Sequence, residues 1–115
     1  MHEIYRSETM LVRCIPAEDE SRWVITFDNY GSGAGFDRES FGQAFLAQSG
    51  ISQINILGSG NHWYQYPDIA MALEKARERI VGADRILTYG SSMGAYAAIR
   101  FAARLGADCC LALSP

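Results

Sequence analysis

Hydrophobic and polar positions change period several times along this chain, and each change marks an element. "ETMLVRCIPA" alternates weakly and ends at Pro16, which predicts a strand near a sheet edge, since proline cannot donate to a ladder. "RWVITFDNY" carries an unbroken apolar run from Trp23 to Phe27, as expected of a strand covered on both faces, and exits through the glycine-rich "GSGAG". "DRESFGQAFLAQSG" brings Phe41, Ala44, Phe45 and Ala47/Gln48 round at helical spacing, with Gly50 as its stop. "ISQINILGSG" predicts a second buried strand, and "NHWYQYP" an aromatic loop. In "DIAMALEKARERIVG", Ile69, Ala72, Leu73, Ala76 and Ile80 share one helical face, while Glu74, Lys75, Glu78 and Arg79 lie away from it. "DRILTYG" is a third buried strand, "MGAYAAIRFAARLG" an alanine-rich helix and "ADCCLALSP" a fourth apolar strand.

Strands alternating with helices predict an α/β three-layer sandwich with a mostly parallel sheet of about five strands. Right-handed crossovers then bring the carboxyl ends of the parallel strands to one edge, where ligands bind in such sheets. That edge would gather "NYGSGAG", "GSGNHWYQY", "GSSMG" and the closing "SP".

Composition narrows the class rather than the function. The 115 residues read as one domain, 49% hydrophobic and 20% charged, which is enough for a packed core and unlike a disordered chain. A net charge of −3 counts against nucleic acid or anionic membranes as partners. Glu3, Arg6 and Glu8 interrupt the region where a signal peptide needs apolar residues, so a cytoplasmic location is expected. Cys14, Cys109 and Cys110 have no metal-ligand spacing and are expected as buried reduced thiols, with no metal or cofactor implied.

"YGSSMGAYAA" is the stretch that carries chemistry. A nucleophilic serine needs a strained turn from strand to helix, with very small residues two before and two after it. Gly90 and Gly94 meet that condition for Ser92, whereas Ser91 is flanked at the same distances by Tyr89 and Met93. The following helix would direct N–H groups and a favourable dipole at developing negative charge. "NYGSGAGFD" also follows a strand and precedes a helix, but its Gly31, Gly33 and Gly35 do not make a dinucleotide or P-loop spacing. Arg38, the one cation placed to meet a phosphate there, reads more simply as a solvated helix-start residue.

On these residues the chain resembles the α/β-hydrolase superfamily. More narrowly it is similar to bacterial hydrolase-like proteins that pair a "WVITFDN" strand with an "NHWYQ" loop and a "YGSSMGAYAA" elbow. The resemblance runs from about Leu11 to Pro115 and corresponds to the N-terminal half of that fold. It implies Ser92 as nucleophile and the backbone N–H of Met93 as half of an oxyanion hole. The other half would come from "FDNYGSG", with the N–H of Tyr30 first and that of Asn29 next. The implied substrate is a small-molecule ester or acyl compound, and transfer to a sugar or other alcohol would use the same apparatus.

The superfamily places its acid and histidine after the nucleophile. Here the only acidic residue beyond Ser92 is Asp108, expected at the opposite edge of the sheet, and no histidine follows. The chain therefore reads as a hydrolase incomplete at its C-terminus, with impaired catalysis. His62 is the alternative base, or it lines a pocket with Trp63 and Tyr64; His2 has no expected role. A non-catalytic association module is the remaining reading, because a sheet ending at "LALSP" would expose its last strand to self-association.

Overall fold

The computed structural model describes residues 2–28, 36, 38–60 and 64–113. Its elements are β1 (His2–Arg6), β2 (Met10–Ile15), β3 (Arg22–Phe27), α1 (Gln43–Gln48), β4 (Ser52–Gly58), α2 (Ile69–Ile80), β5 (Arg85–Ser91), α3 (Met93–Phe101) and β6 (Cys109–Leu113). The strands form one six-stranded sheet in the order β1-β2-β4-β3-β5-β6. β4, β3, β5 and β6 are parallel neighbours, and β2 alone runs against the rest.

Two sequence expectations change here. The sheet has six strands rather than about five, because "HEIYR" pairs with β2 from His2↔Cys14 to Arg6↔Leu11. β2 is accordingly an interior strand, and Pro16 lies just past its last residue, where a missing N–H breaks no ladder bond. The edge beside it is β1, held by Asp68 at the start of α2. That carboxylate accepts the hydroxyls of Tyr5 at 2.7 Å, Thr9 at 2.5 Å and Ser7. Burial raises the Asp68 pKa, but the three hydroxyls outweigh it and hold the group below its ordinary value.

Alternation along the strands gives the sheet two unlike faces. One presents Met10, Val12, Cys14, Trp23, Ile25, Phe27, Ile54 and Ile56, packed with Ala72, Leu73, Ala76 and Ile80 of α2 and Ala97, Ala98 and Phe101 of α3. This is the hydrophobic core, and each fully buried Leu or Ile contributes about 1.5–3 kcal/mol. The other face is polar across its middle. There Asn55 donates to Thr26 Oγ1 and Gln53 Oε1, both at 2.9 Å, and Gln53 donates to the Gln43 carbonyl at 3.2 Å. Thr26 and Ser40 hydroxyls meet at 3.0 Å, so α1 and the segment before it sit on hydrogen bonds more than on apolar contact.

α1 is shorter than its sequence period predicts. It begins only after Gly42, whose φ of 74° is left-handed, and the residues before it are drawn into tertiary contacts, Phe41 against the Tyr89 ring at 5.0 Å among them. Leu46 is its buried residue, while Phe45, expected on the inner stripe, is exposed. The cysteines also differ from expectation: Cys14 is buried, but Cys109 and Cys110 are exposed because β6 closes the sheet as an edge. Among the described residues no helix is long and apolar enough to cross a membrane.

Candidate functional site

β5 is a parallel strand with β3 on one side and β6 on the other, and it delivers its last residue, Ser91, to the carboxyl edge. The chain then turns through Ser92 directly into α3. Ser92 takes φ 56° and ψ −115°, a combination L-residues rarely adopt, costing about 1–3 kcal/mol where the surroundings impose it. Two contacts impose it. A Cβ on Gly90 would stand 2.9 Å from the Ala95 nitrogen and closer still to the Gly94 carbonyl. A Cβ on Gly94 would stand 2.6 Å from the Asp28 carbonyl oxygen, with the Phe27 oxygen nearer. The two glycines flanking Ser92 thus let the elbow close on itself and press against the end of β3.

The Ser92 N–H donates to the Leu113 carbonyl at 2.8 Å, which fixes the elbow to β6 and takes that N–H out of play. Met93 follows as the first helical residue, with its side chain buried. The N–H groups of a helix's first turn have no partner within the helix and are aimed past its N-terminus. The Met93 N–H is one of these. Ser92 itself is half-buried.

Asp28, the residue after β3, is held from three directions. Its N–H donates to the Tyr64 hydroxyl at 2.6 Å, and that hydroxyl donates to the Ile56 carbonyl at 2.7 Å. Its carbonyl touches Gly94 as described. Its carboxylate pairs with Arg38, whose Nη2 also reaches the Gly58 carbonyl at 3.3 Å. Burial pushes the Asp28 carboxyl above its ordinary value, against the pull of the Arg38 charge. Arg13, on β2, donates to the Arg38 carbonyl at 2.9 Å and to Gln43 Oε1 at 3.2 Å, and burial lowers its pKa.

Several predicted residues therefore meet: Ser92, Met93, Gly90 and Gly94 form one turn against the end of β3. Asn29, Tyr30, His62 and Trp63 lie outside the described residues. Tyr64 is 1% exposed, its ring edge-on to Phe27 at 5.2 Å, so it packs in the core rather than lining an open surface. Burial, followed by the Asp28 charge, puts its phenol pKa well above the ordinary value. Tyr64 (φ 61°) and Ser92 are the only non-glycine residues with positive φ among those described; Tyr64 bonds Asp28 directly, and Gly94, two residues after Ser92, lies against the Asp28 backbone. Asp108 is at the far edge, its carboxylate accepting the Ile86 N–H at 2.8 Å.

Arg38 is corrected: it is a largely buried partner of Asp28, not a solvated helix-start residue. The sequence did contain a signal for this pair, since a charged residue directly after a run of buried strand positions must find a counter-charge or lose its own. Among the described residues no three His, Cys, Asp or Glu side chains stand together as a metal site would need. Comparison with protein-family models, curated proteins and solved structures gave no match for this chain.

Proposed function

We propose that this chain carries the nucleophile side of a serine acyl-transfer site, on a three-layer sandwich of α/β-hydrolase type, acting on a small-molecule ester or acyl substrate. The observation that carries the reading is the strained conformation of Ser92 at the mouth of α3, enforced by the close approaches at Gly90 and Gly94. Strain of this kind concentrates where a side chain must be presented at a fixed angle. The strand order supports it as well. β4, which leads toward His62, lies two strands from β5, the spacing of the corresponding strands in that superfamily.

In this mechanism Ser92 Oγ attacks the carbonyl carbon and the C=O electron pair moves onto oxygen. The Met93 N–H and a donor from the segment after Asp28 take up that charge, each worth about 3 kcal/mol of barrier. The leaving alcohol departs with a proton, and water then releases the acyl group; a sugar or other alcohol in place of water gives acyl transfer. His62 is the candidate base for the Ser92 proton, since Asp108, the acidic residue after Ser92, stands at the opposite edge of the sheet. A Ser92 site deprived of its base would keep only the roughly 10³–10⁴-fold that an oxyanion hole and binding retain.

Fluorophosphonate labelling, read by intact mass and by the labelled peptide, tests the reading. The label should fall on Ser92, and Ser92→Ala should abolish both labelling and ester cleavage; labelling that persists in the alanine variant sinks it. Association through the sheet edge is a second reading, favoured by Leu111 and Leu113 on β6, 46% and 42% exposed beside an unpaired strand edge. Sedimentation at rising concentration would support it by a dimer and discount it by a persistent monomer.

A further inference from the structure

We infer that the cavity at the amino edge of the sheet is a binding site for a small organic carboxylate, an acidic head on a short apolar body. The cavity encloses about 360 Å³ against β3, β5, β6 and the turn after α1, and ligand pockets usually hold about 300–1,000 Å³. It lies at the opposite end of the strands from Ser92, so the inference stands apart from the acyl-transfer reading. Its shape follows from strand register. Arg22 pairs with Arg85, Val24 with Leu87, and Leu87 with Cys109. Alternation puts these five on the face that carries α1, with the two arginines about 6.6 Å along the strands from Val24 and Leu87. Gly50 and Ile51, where the chain leaves α1, wall the cavity.

Charge decides which head group fits. Arg22 and Arg85 stand side by side at the mouth, where like charges repel. Arg22 reaches Asp19 only at 3.7 Å, with both side chains more than half exposed, and such a pair neutralises little. Arg85 makes no ion pair or side-chain hydrogen bond among the described residues. The two carboxylates that line the cavity are engaged elsewhere. Asp19 accepts the N–H and hydroxyl of Ser21 at 2.9 and 2.6 Å, and Asp108 accepts the Ile86 N–H at 2.8 Å. Guanidinium donors are therefore what the mouth has to offer, and their planar forks match a carboxylate. Below them Val24 and Leu87 present hydrocarbon. A charge without a body, or a body without a charge, satisfies half of such a site.

The test is a nitrogen–proton correlation NMR titration of the full chain with hexanoate, hexanamide and acetate at constant ionic strength. Hexanoate should give saturable shifts at Arg22, Val24, Gly50 and Leu87, with a Kd on the order of 1 mM for so small a ligand. Hexanamide lacks the charge and acetate lacks the body, so each should bind at least about 10-fold more weakly. Replacing both Arg22→Gln and Arg85→Gln should weaken hexanoate by about the same factor. Both side chains are exposed, so Tm should stay at or above the parent's. Ser92→Ala should bind hexanoate as the parent does, which separates this site from the Ser92 reading. Four results overturn the inference. They are no saturable shift below about 50 mM hexanoate, hexanamide or acetate binding as tightly as hexanoate, shifts that gather at Ser92 and Met93 instead, and a double variant with the parent's affinity.

Discussion

Gly94→Ala sets two physical effects against each other. Gly94 is the second residue of α3, and exchanging a helical glycine for alanine ordinarily stabilises by about 1 kcal/mol. Here the new methyl would lie 2.6 Å from the Asp28 carbonyl oxygen and 3.0 Å from its carbon, with the Phe27 oxygen closer than either. Ordinary contact begins near 3.4 Å, and these neighbours are backbone atoms of a strand paired on both sides, so no rotamer change relieves them. The start of α3 must move off β3 by nearly 1 Å. Overpacking of this kind costs about 1–3 kcal/mol, and with rigid backbone on every side the upper end applies, leaving a net loss of about 2 kcal/mol after the helical gain. For a domain of this size that is a Tm lower by about 8 °C. The same shift misaims the Met93 N–H, so Ser92 labelling should slow by about 100-fold. Differential scanning calorimetry reads the first effect, with Gly106→Ala as comparison: its φ of 72° costs backbone strain of about 1 kcal/mol, but nothing lies within 4 Å of the added methyl. A Gly94→Ala protein as stable as the parent, or more stable, would refute the steric account of the elbow.

Ser92→Gly should raise Tm by roughly 4 °C while abolishing labelling. It releases about 1–3 kcal/mol of conformational strain and gives back only about 0.4–1 kcal/mol through a freer unfolded chain; a lower Tm would show that Ser92 is not strained. Asp68 has a folded pKa below its unfolded value, so the stability it supplies is complete above about pH 4 and is lost as pH falls through the folded pKa. Thermal melts at stepped pH should therefore show a shallower loss in Asp68→Asn than in the parent within that acid window, and parallel curves would count against the three-hydroxyl clamp. Asp28 works in the opposite sense and in a different window: its raised pKa means that the cost of burying its charge is relieved as pH falls from the folded value towards about 4, above the region in which Asp68 acts.

Much of this molecule was legible because its information is local. β3 and β4 stand as runs of buried positions bounded by turns, β5 alternates buried with half-buried ones, and the buried stripe of α2 falls on Ala72, Leu73, Ala76 and Ile80 as its period predicts. The elbow was legible because its requirement is steric and spans five residues, from Gly90 to Gly94. What escaped depends on distant partners. His2 to Arg6 reads as an ordinary polar terminus, and only the clamp from Asp68 and the ladder with β2 make it a strand. The inner stripe assigned to α1 fails because Arg38 and Ser40, just before it, are committed to Asp28 and Thr26. Gln53 and Asn55 sit inside a fully buried strand, and the groups that accept from their amide nitrogens, the Gln43 carbonyl and the Thr26 hydroxyl, lie elsewhere in sequence.

The polar face under α1 has a consequence for how the chain finds its arrangement. Parallel strands of similar length offer several near-equivalent pairings, and a slip of one residue turns every side chain over. If β4 slipped by one place against β3, Gln53 and Asn55 would enter the layer beneath Leu73 and Ala76, and Ile54 and Ile56 would take their places beside Arg13 and Gln43. Amides would then be buried without partners on one side while hydrogen-bonding groups faced hydrocarbon on the other, at about 1–3 kcal/mol for each unsatisfied group. The network adds little net stability when it is satisfied. Its effect falls on the competing folds, which it penalises twice over, so this sheet is specified as much by what its polar residues forbid as by what its apolar residues gain.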